Sequence, residues 1–330
     1  MSTIRDVAKL ANVSTATVSR VLNNDSKYKM TDETKQRVLE AVSKLNYELP
    51  VTSAKISDSP ASVEKIGCIL RVTKKKFNDP YFMSILSAVE DRLRKKGYEI
   101  SFIRNGIEMN TRAQLLSTFQ TPVSGLILMD QLEDDIYDYI RKQVPHIVGI
   151  CTNRTDIDNI DYDRFGIARD ATDYLIHKGH TKIGFIGGGL ALSHRYHGYL
   201  TAMQCANLPI NEDWIIDCDW DEDICAQKID QLCKLGNYPT AFYVSSDLMA
   251  IAALNRFFNN NIKVPDDVAL VSTTDIEIAK YTNPPLTTFH IPAEEIGYAA
   301  ADLLVSRING YDLMTHKIVL PSKLIERGTA

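Results

Sequence analysis

No run of about 18 consecutive apolar residues occurs in this chain, so no membrane-spanning helix is expected. The N-terminus lacks an apolar h-region, which points to a protein without a secretory signal, kept in the cytoplasm. The six cysteines (Cys68, Cys151, Cys205, Cys218, Cys225 and Cys233) contain no C-x-x-C pair. They read as buried thiols in a reducing compartment, which speaks against disulfides and structural zinc. Signatures of catalysis are missing as well. There is no G-x-S-x-G, and nothing groups a nucleophile with a base and an orienting residue. Gly187-Gly188-Gly189 has neither a following Lys-Ser/Thr nor G-x-G-x-x-G spacing, so it reads as a tight turn rather than a phosphate cradle. His194 and His197 stand three apart with no third ligand nearby. No enzyme activity, catalytic residue, metal or cofactor is expected.

Net positive charge is lacking too, at −5 over 330 residues. Taken alone this argues against nucleic acid. Its distribution does not: residues 1–50 hold eight Lys+Arg against six Asp+Glu, which makes them +2 and leaves −7 on the other 280. A mildly basic head on an acidic body suits a DNA reader whose body stays off the phosphates.

What is present begins at that head. Thr3 to Ala11 reads as a short helix with Ile4, Val7, Ala8 and Ala11 on one face. Asn12-Val13 is a break, since Asn tolerates the left-handed backbone nearly as well as Gly. Ser14 to Leu22 opens a second helix with a polar cap, and a third runs from Thr31-Asp32-Glu33-Thr34 to about Leu45. Two short helices about a tight turn make a helix-turn-helix, whose second helix enters the major groove. Thr15 and Ala16 would lie at the exposed start of that helix, where side chains reach base edges. Thr17, Ser19 and Arg20 could meet phosphates or bases. A helical hairpin within an ordinary enzyme is the plainer alternative.

Residues 50–62 form a linker with five Ser/Thr and two Pro among thirteen, too polar to order alone in water. From Lys65 onward strand and helix patterns alternate. Apolar runs at Ile66–Val72, Tyr98–Ile103, Gly125–Met129, His146–Ile150, Lys182–Ile186, Ala241–Val244 and Val268–Val271 read as buried strands. Amphipathic stretches near 82–96, 111–120, 132–143, 164–178, 194–206, 222–235 and 248–259 separate them. This βαβ series implies parallel sheets with helices on both faces, and its length favours two subdomains over one wide sheet. Ligands in such architectures sit at the C-terminal ends of strands or between lobes.

Several segments together resemble the LacI/GalR repressors. They are Thr3-Ile4-Arg5-Asp6-Val7-Ala8, Val13-Ser14-x-x-Thr17-Val18-Ser19-Arg20-Val21-Leu22-Asn23, Asp79-Pro80-Tyr81-Phe82, His177 to Gly188, Ser246-Asp247, Pro284-Pro285-Leu286-Thr287-Thr288, and the closing Leu320-Pro321-Ser322 to Thr329. Within the family the chain looks most like regulators of galactose and evolved β-galactosidase operons. The resemblance implies an all-α headpiece at 1–48, a hinge at 49–63 and, at 64–330, an α/β core of two doubly wound parallel-sheet lobes like a periplasmic binding protein. It implies a homodimer on a pseudo-palindromic double-stranded operator and no membrane association. The absence of a leucine heptad after Arg327 fits a dimer better than a coiled-coil tetramer.

By position, Thr3, Ser14 and Asn23 join the DNA-contacting set, and Ile56 falls where the family places a leucine wedge between base steps. The chain departs from the family pattern with Val51 for Asn and Ser53 for Ala. Arg195, Trp220, Ser246, Asp247 and Asp275 match effector-contacting positions, and Tyr81 faces the cleft at a strand-to-helix junction. A guanidinium suits paired hydroxyls, and a carboxylate accepts two hydroxyl hydrogen bonds from a pyranose. Plainer roles stand beside these: an ion pair for Arg195, core packing for Tyr81 and Trp220, a helix cap for Asp247, a turn for Asp275. Ile150 stands where the family commonly has Asp, and Ser246 where it has Asn. The expected function is a repressor of a sugar-utilisation operon, with a galactoside as effector. A nucleobase-corepressor regulator and a sugar-binding protein without operator activity are the alternatives.

Overall fold

The computed structural model describes residues 3–22, 31–45, 64–73, 76–109, 112–119, 121–311 and 314–330. The chain divides into two compact units, Met1–Ser62 and Val63–Ala330. Asn23, the 49–63 hinge and its Ile56 lie outside the described residues.

In the first unit, helices α1 (Ile4–Ala11), α2 (Thr15–Leu22) and α3 (Asp32–Lys44) enclose a small core. Val7, Ala8, Ala11, Val18, Val38 and Ala41 are buried there. The residues around α1 fix its ends. The Thr3 N–H donates to Asp6 Oδ2 at 2.8 Å, and the Asp6 N–H to Thr3 Oγ1 at 3.4 Å, closing a capping box. Asn12 ends α1 with φ 50°, the left-handed conformation that reverses the chain toward α2. Ser14 then caps α2, its Oγ accepting from the Thr17 N–H at 3.1 Å.

The second unit has two lobes. In the first, β1 (Glu64–Leu70), β2 (Tyr98–Asn105), β3 (Gly125–Met129), β4 (His146–Ile150) and β5 (Asp158–Tyr162) alternate with α4 (Pro80–Lys95), α5 (Arg112–Thr118) and α6 (Asp134–Gln143). After β5 the chain crosses to the second lobe through α7 (Arg164–His177). There β6 (Ile183–Gly187), β7 (Ile215–Asp217), β8 (Ala241–Val244), β9 (Ala269–Thr274) and β10 (Thr287–His290) are interleaved with α8 (His194–Cys205), α9 (Glu222–Leu235) and α10 (Asp247–Asn259). It returns through α11 (Ala293–Ile308), which packs on α4 and on β3, β4 and β5. Strand β11 (Lys317–Leu320) joins the first sheet, and β12 (Lys323–Ile325) the second.

The sheet orders are β11-β5-β4-β3-β1-β2 and β12-β10-β9-β8-β6-β7. Every pairing is parallel except that of β10 with β12. Three chain crossings therefore join the lobes, after β5, after β10 and between β11 and β12. In both sheets the parallel strands turn their C-terminal ends toward the gap, where parallel α/β sheets hold ligands. β3, β4 and β8 have the bounds expected from their apolar runs. β5, β7, β10, β11, β12 and α11 were not anticipated.

Candidate functional site

The DNA-reading candidates sort by what their side chains already do. Thr15 and Ala16 are exposed at the first turn of α2, and Val18 behind them is fully buried against α1 and α3. Thr17, Ser19 and Arg20 are half-buried. Ser14 and Thr17 are engaged with each other, their hydroxyls 2.9 Å apart at the cap. Thr3 is tied to Asp6, its Oγ1 lying 2.6 Å from Asp6 Oδ2. That leaves Thr15 and Ala16 as the free surface of the helix start.

Between the two lobes lies a cleft of about 450 Å³. It is lined from the first lobe by Tyr81, Phe82, Met129, Asp130, Ile150, Cys151, Tyr162 and Arg164, and from the second by Arg195, Trp220, Ser245, Ser246 and Thr274. Tyr81 is placed by Asp79, whose carboxylate caps α4 by accepting the Tyr81 N–H at 3.0 Å. The ring of Tyr81 stands edge-on to Phe82 and to Tyr162, with centroids 5.2 and 6.5 Å apart. Across the gap, Arg195 near the start of α8 donates from Nη2 to the Tyr162 hydroxyl at 2.5 Å. Its guanidinium lies 5.3 Å from the centroid of the Trp220 ring, within cation–π range.

Trp220 is held there by an unusual backbone. Asp219 and Trp220 are consecutive left-handed residues, with φ 47° and 59°. Such a conformation costs about 1–3 kcal/mol per non-glycine residue. Gly188 makes room for it: a Cβ on Gly188 would stand 2.6 Å from both the backbone N and Cδ1 of Trp220.

The cleft is electrostatically lopsided at Arg195. Burial pushes the Tyr81 phenol well above its usual range and the Cys151 thiol up to about 12, so both stay neutral. Arg164 is paired with Asp161 at 3.4 Å, and Lys76 with Asp79 and Glu222. Among the described residues no carboxylate forms an ion pair with Arg195. Two buried polar atoms on the cleft wall, Ser245 Oγ and Arg195 Nε, have no hydrogen-bond partner, and the Tyr81 hydroxyl lies beside that of Tyr162. Buried polar groups are rarely left so. The arrangement suits a polar ring that supplies the missing partners.

Two expected effector residues are engaged within the protein. Asp247 is fully buried and absent from the cleft wall. Its Oδ1 accepts from Ser272 Oγ at 2.5 Å and Thr288 Oγ1 at 2.6 Å, and its Oδ2 from the Ile276 N–H at 2.8 Å. It clamps β9, β10 and the loop after β9. Asp275 is turned away likewise, accepting from Arg327 Nη2 at 2.6 Å and lying 3.1 Å from His290 Nδ1. Ser246 does line the cleft, but its Oγ caps α10 by accepting the Met249 N–H at 3.4 Å. Tyr81, Arg195 and Trp220 are brought together on the wall of one cleft.

Sequence reasoning missed Tyr162, Arg164 and Ser245. Tyr162 ends a strand too polar for a hydropathy reading, and Arg164 stands two residues beyond it, after the Asp163 cap of α7. Ser245 carried a usable signal: two serines follow β8, and only one of them can cap α10. Among the described residues, no group of three or more His, Cys, Asp or Glu is placed to hold a metal ion, and no helix is long and apolar enough to cross a membrane.

Known proteins agree with this layout. Residues 3–48 match the bacterial regulatory proteins of the lacI family, and residues 172–330 match the periplasmic binding protein-like domain. The HTH-type transcriptional repressor PurR of Aliivibrio salmonicida is 32% identical over 320 residues, spanning 93% of this chain and 92% of that protein. Its counterpart in Vibrio parahaemolyticus is 31% identical, spanning 100% and 98%. Among solved structures, the transcriptional regulator CelR–cellobiose complex superposes with a TM-score of 0.71 at 25% identity over the full length of both chains. The lac repressor dimer bound to operator and the anti-inducer ONPF gives 0.69 at 25% identity, covering 99% and 98%. A capped helix-turn-helix unit, a two-lobed core with a cleft between the lobes, and relatives that match both along nearly their whole length lead to one assignment: the chain belongs to the LacI family of DNA-binding transcriptional regulators and is not an enzyme.

Proposed function

We propose that this protein is a homodimeric repressor that reads a pseudo-palindromic operator through α2 and is released from it by a sugar. In this reading residues 1–48 contact DNA, 49–63 form the hinge with Ile56 as its wedge, and 64–330 bind effector and dimerise. The carrying observation is the convergence of Ser245 Oγ and Arg195 Nε, both unpartnered, and the Tyr81 hydroxyl on a cleft built by both lobes. A sugar hydroxyl both donates and accepts, so one polyol ring can satisfy two hydroxyls and a guanidinium N–H together. Trp220 and Tyr81 offer the apolar ring faces that sugars stack on. The CelR–cellobiose complex, similar over its whole length, is a complex with a sugar and supports a sugar as the effector.

A galactoside is the first effector to test, on the resemblance to galactose-operon regulators. Such a ligand acts by binding the closed form of the lobes more tightly than the open form; without that difference it shifts nothing. The test is calorimetry with galactose, lactose, melibiose, adenine and hypoxanthine, followed by operator binding with each. Binding of a galactoside that weakens operator affinity supports the reading, and a panel in which no sugar binds rejects it.

One observation favours a second reading. With Asp247 and Asp275 turned away, the cleft loses the two carboxylates that point to a polyol, while Tyr81, Phe82, Tyr162 and Trp220 remain as stacking surfaces. A nucleobase acting as corepressor fits those rings. In the same experiment it would bind in place of the sugars and tighten the operator complex.

A further inference from the structure

We propose that Cys218 and Cys225 are a redox-responsive thiol pair, which a hydroperoxide converts to a disulfide that rearranges the segment between them. Both thiols are free and fully buried, and they hydrogen-bond to each other. Cys218 Sγ also lies 3.0 Å from the Gly187 carbonyl and 3.2 Å from Met249 Sδ, and Cys225 Sγ lies 3.6 Å from the Met249 carbonyl. The two sulfurs thus sit side by side against the first turn of α10.

The pair is asymmetric. A hydrogen bond from Cys225, joined by one from the Trp220 N–H, outweighs burial and holds the Cys218 thiol below its usual range. The same contact with Cys218, together with burial, pushes Cys225 up. Cys218 is therefore the nucleophile and Cys225 the thiol that resolves it. The Cys218 sulfur attacks one oxygen of the hydroperoxide, the O–O bond breaks, and the other oxygen leaves as water or alcohol, giving a sulfenic acid. The Cys225 sulfur then attacks that of Cys218, the S–S bond forms, and the sulfenic oxygen leaves as water with the Cys225 proton. Two thiols have lost two electrons and two protons, and the peroxide has taken them up. Burial shields both cysteines from large reagents. On the cleft side the shield is the Asp219-Trp220 turn, so a small hydroperoxide enters where that turn opens.

The residues between the two cysteines give the bridge its consequence. Asp219 and Trp220 line the cleft, and Glu222 accepts from Lys76 of the other lobe at 2.6 Å. The Trp220 N–H bonds to the Cys218 sulfur, which supports the consecutive left-handed residues at Asp219 and Trp220. A disulfide to Cys225 claims that sulfur, and the turn loses its support. Oxidation is then felt at the cleft wall and at the bridge between lobes, whichever ligand the cleft takes.

The test uses the full-length protein, reduced, freed of reductant and treated with hydrogen peroxide. Remaining thiols are alkylated in denaturant and the tryptic fragments weighed and sequenced by mass spectrometry. No Lys or Arg stands between Arg195 and Lys228, so residues 196–228 carry Cys205, Cys218 and Cys225 on one fragment. The expected fragment has lost two hydrogens and carries a single alkyl group, on the exposed Cys205. Dithiothreitol should restore three alkylated thiols. Tryptophan emission should fall as the bridge forms and recover with dithiothreitol, and Cys218→Ser and Cys225→Ser should each abolish both changes. Three alkylated thiols after peroxide, a bridge that includes Cys205, or Cys218 oxidised with Cys225 still alkylated would overturn the proposal. A Cys218–Cys225 bridge that leaves tryptophan emission unchanged would overturn it as well, since the segment would then not have moved.

Discussion

Lys76 of the first lobe donates from Nζ to Glu222 of the second at 2.6 Å, with Asp79 on its other side at 3.2 Å. The lysine side chain is only 7% exposed, so this ion pair bridges the lobes largely out of water. Glu222 lies in the first turn of α9, where the helix N-terminus also favours its charge.

Lys76→Met should therefore shift the lobes toward an open arrangement. A hydrogen bond to a charged group contributes about 1.5–3 kcal/mol, so the open population of the unliganded protein should grow about tenfold or more. Small-angle scattering would register this as a larger radius of gyration. Superimposable curves for variant and wild type would show that the pair does not hold the lobes together.

Asp247 and Arg195 should separate stability from binding. Asp247→Ala leaves two hydroxyls and an amide of a buried network without their acceptor, and a loss of about 3 kcal/mol or more is expected in urea denaturation. Arg195→Ala should leave the urea midpoint nearly unchanged and weaken effector binding at least tenfold in calorimetry. The reverse pattern would return Asp247 to the binding site.

Asp158 and Asp247 should respond to acid with opposite signs. Burial opposes ionisation of Asp158, but hydrogen bonds from Arg307 and the His316 N–H, with the charge of Arg307, outweigh it and hold the carboxyl below its ordinary range. Its contribution is complete above the unfolded value of about 3.9 and is lost as pH falls through the lower folded value. At Asp247 burial outweighs the hydrogen bonds from Ser272, Thr288 and Ile276 and raises the folded value. That contribution is complete below the unfolded value and is lost as pH rises through the folded one. Asp158→Asn should cost about 3 kcal/mol near neutrality, with the penalty shrinking in acid. The penalty of Asp247→Asn should be greatest in acid and shrink toward neutrality. Parallel pH profiles of the two urea midpoints would contradict the assignment.

In the headpiece, substitutions at Thr15 and Ala16 should change which operator is preferred, by about 1–3 kcal/mol per base contact. Ser14→Ala should instead lower headpiece stability by about 1 kcal/mol through loss of the cap. Competitive binding to duplex libraries measures the first and thermal melting the second. Unaltered preference after changes at both Thr15 and Ala16 would mean that another surface reads the bases.

The fold was legible where burial is written in hydropathy. Gly125–Met129 and His146–Ile150 are covered on both faces, so their apolar runs give the strand bounds directly. β5, Asp158 to Tyr162, is equally buried yet polar, because Asp158 meets Arg307 and Asn159 accepts from Thr152 at 2.6 Å. Partners that lie far away in sequence make such a strand possible, and no local pattern announces them. α11 hid for another reason. Gly297, Ala300 and Ala301 are among its buried residues, and a Cβ on Gly297 would stand 2.5 Å from the Ile85 carbonyl of α4. Close packing through small residues leaves a weak apolar stripe.

The site was legible in part for the same kind of reason. Tyr81, Arg195 and Trp220 stand out in the sequence by type and position, and all three line the cleft. An aspartate after a strand does not reveal which way its carboxylate turns, and at Asp247 the direction is set by Ser272 and Thr288, far along the chain.

The most direct test of the account is operator binding with and without effector. An operator selected from random duplexes with the full-length protein would be titrated by fluorescence anisotropy in the absence and presence of galactose, lactose and melibiose. The account predicts a clear preference for the selected site over random duplex and at least a tenfold loss of affinity with one galactoside. Equal affinity for selected and random duplex, or a selected-site affinity that none of the three sugars changes, would contradict it.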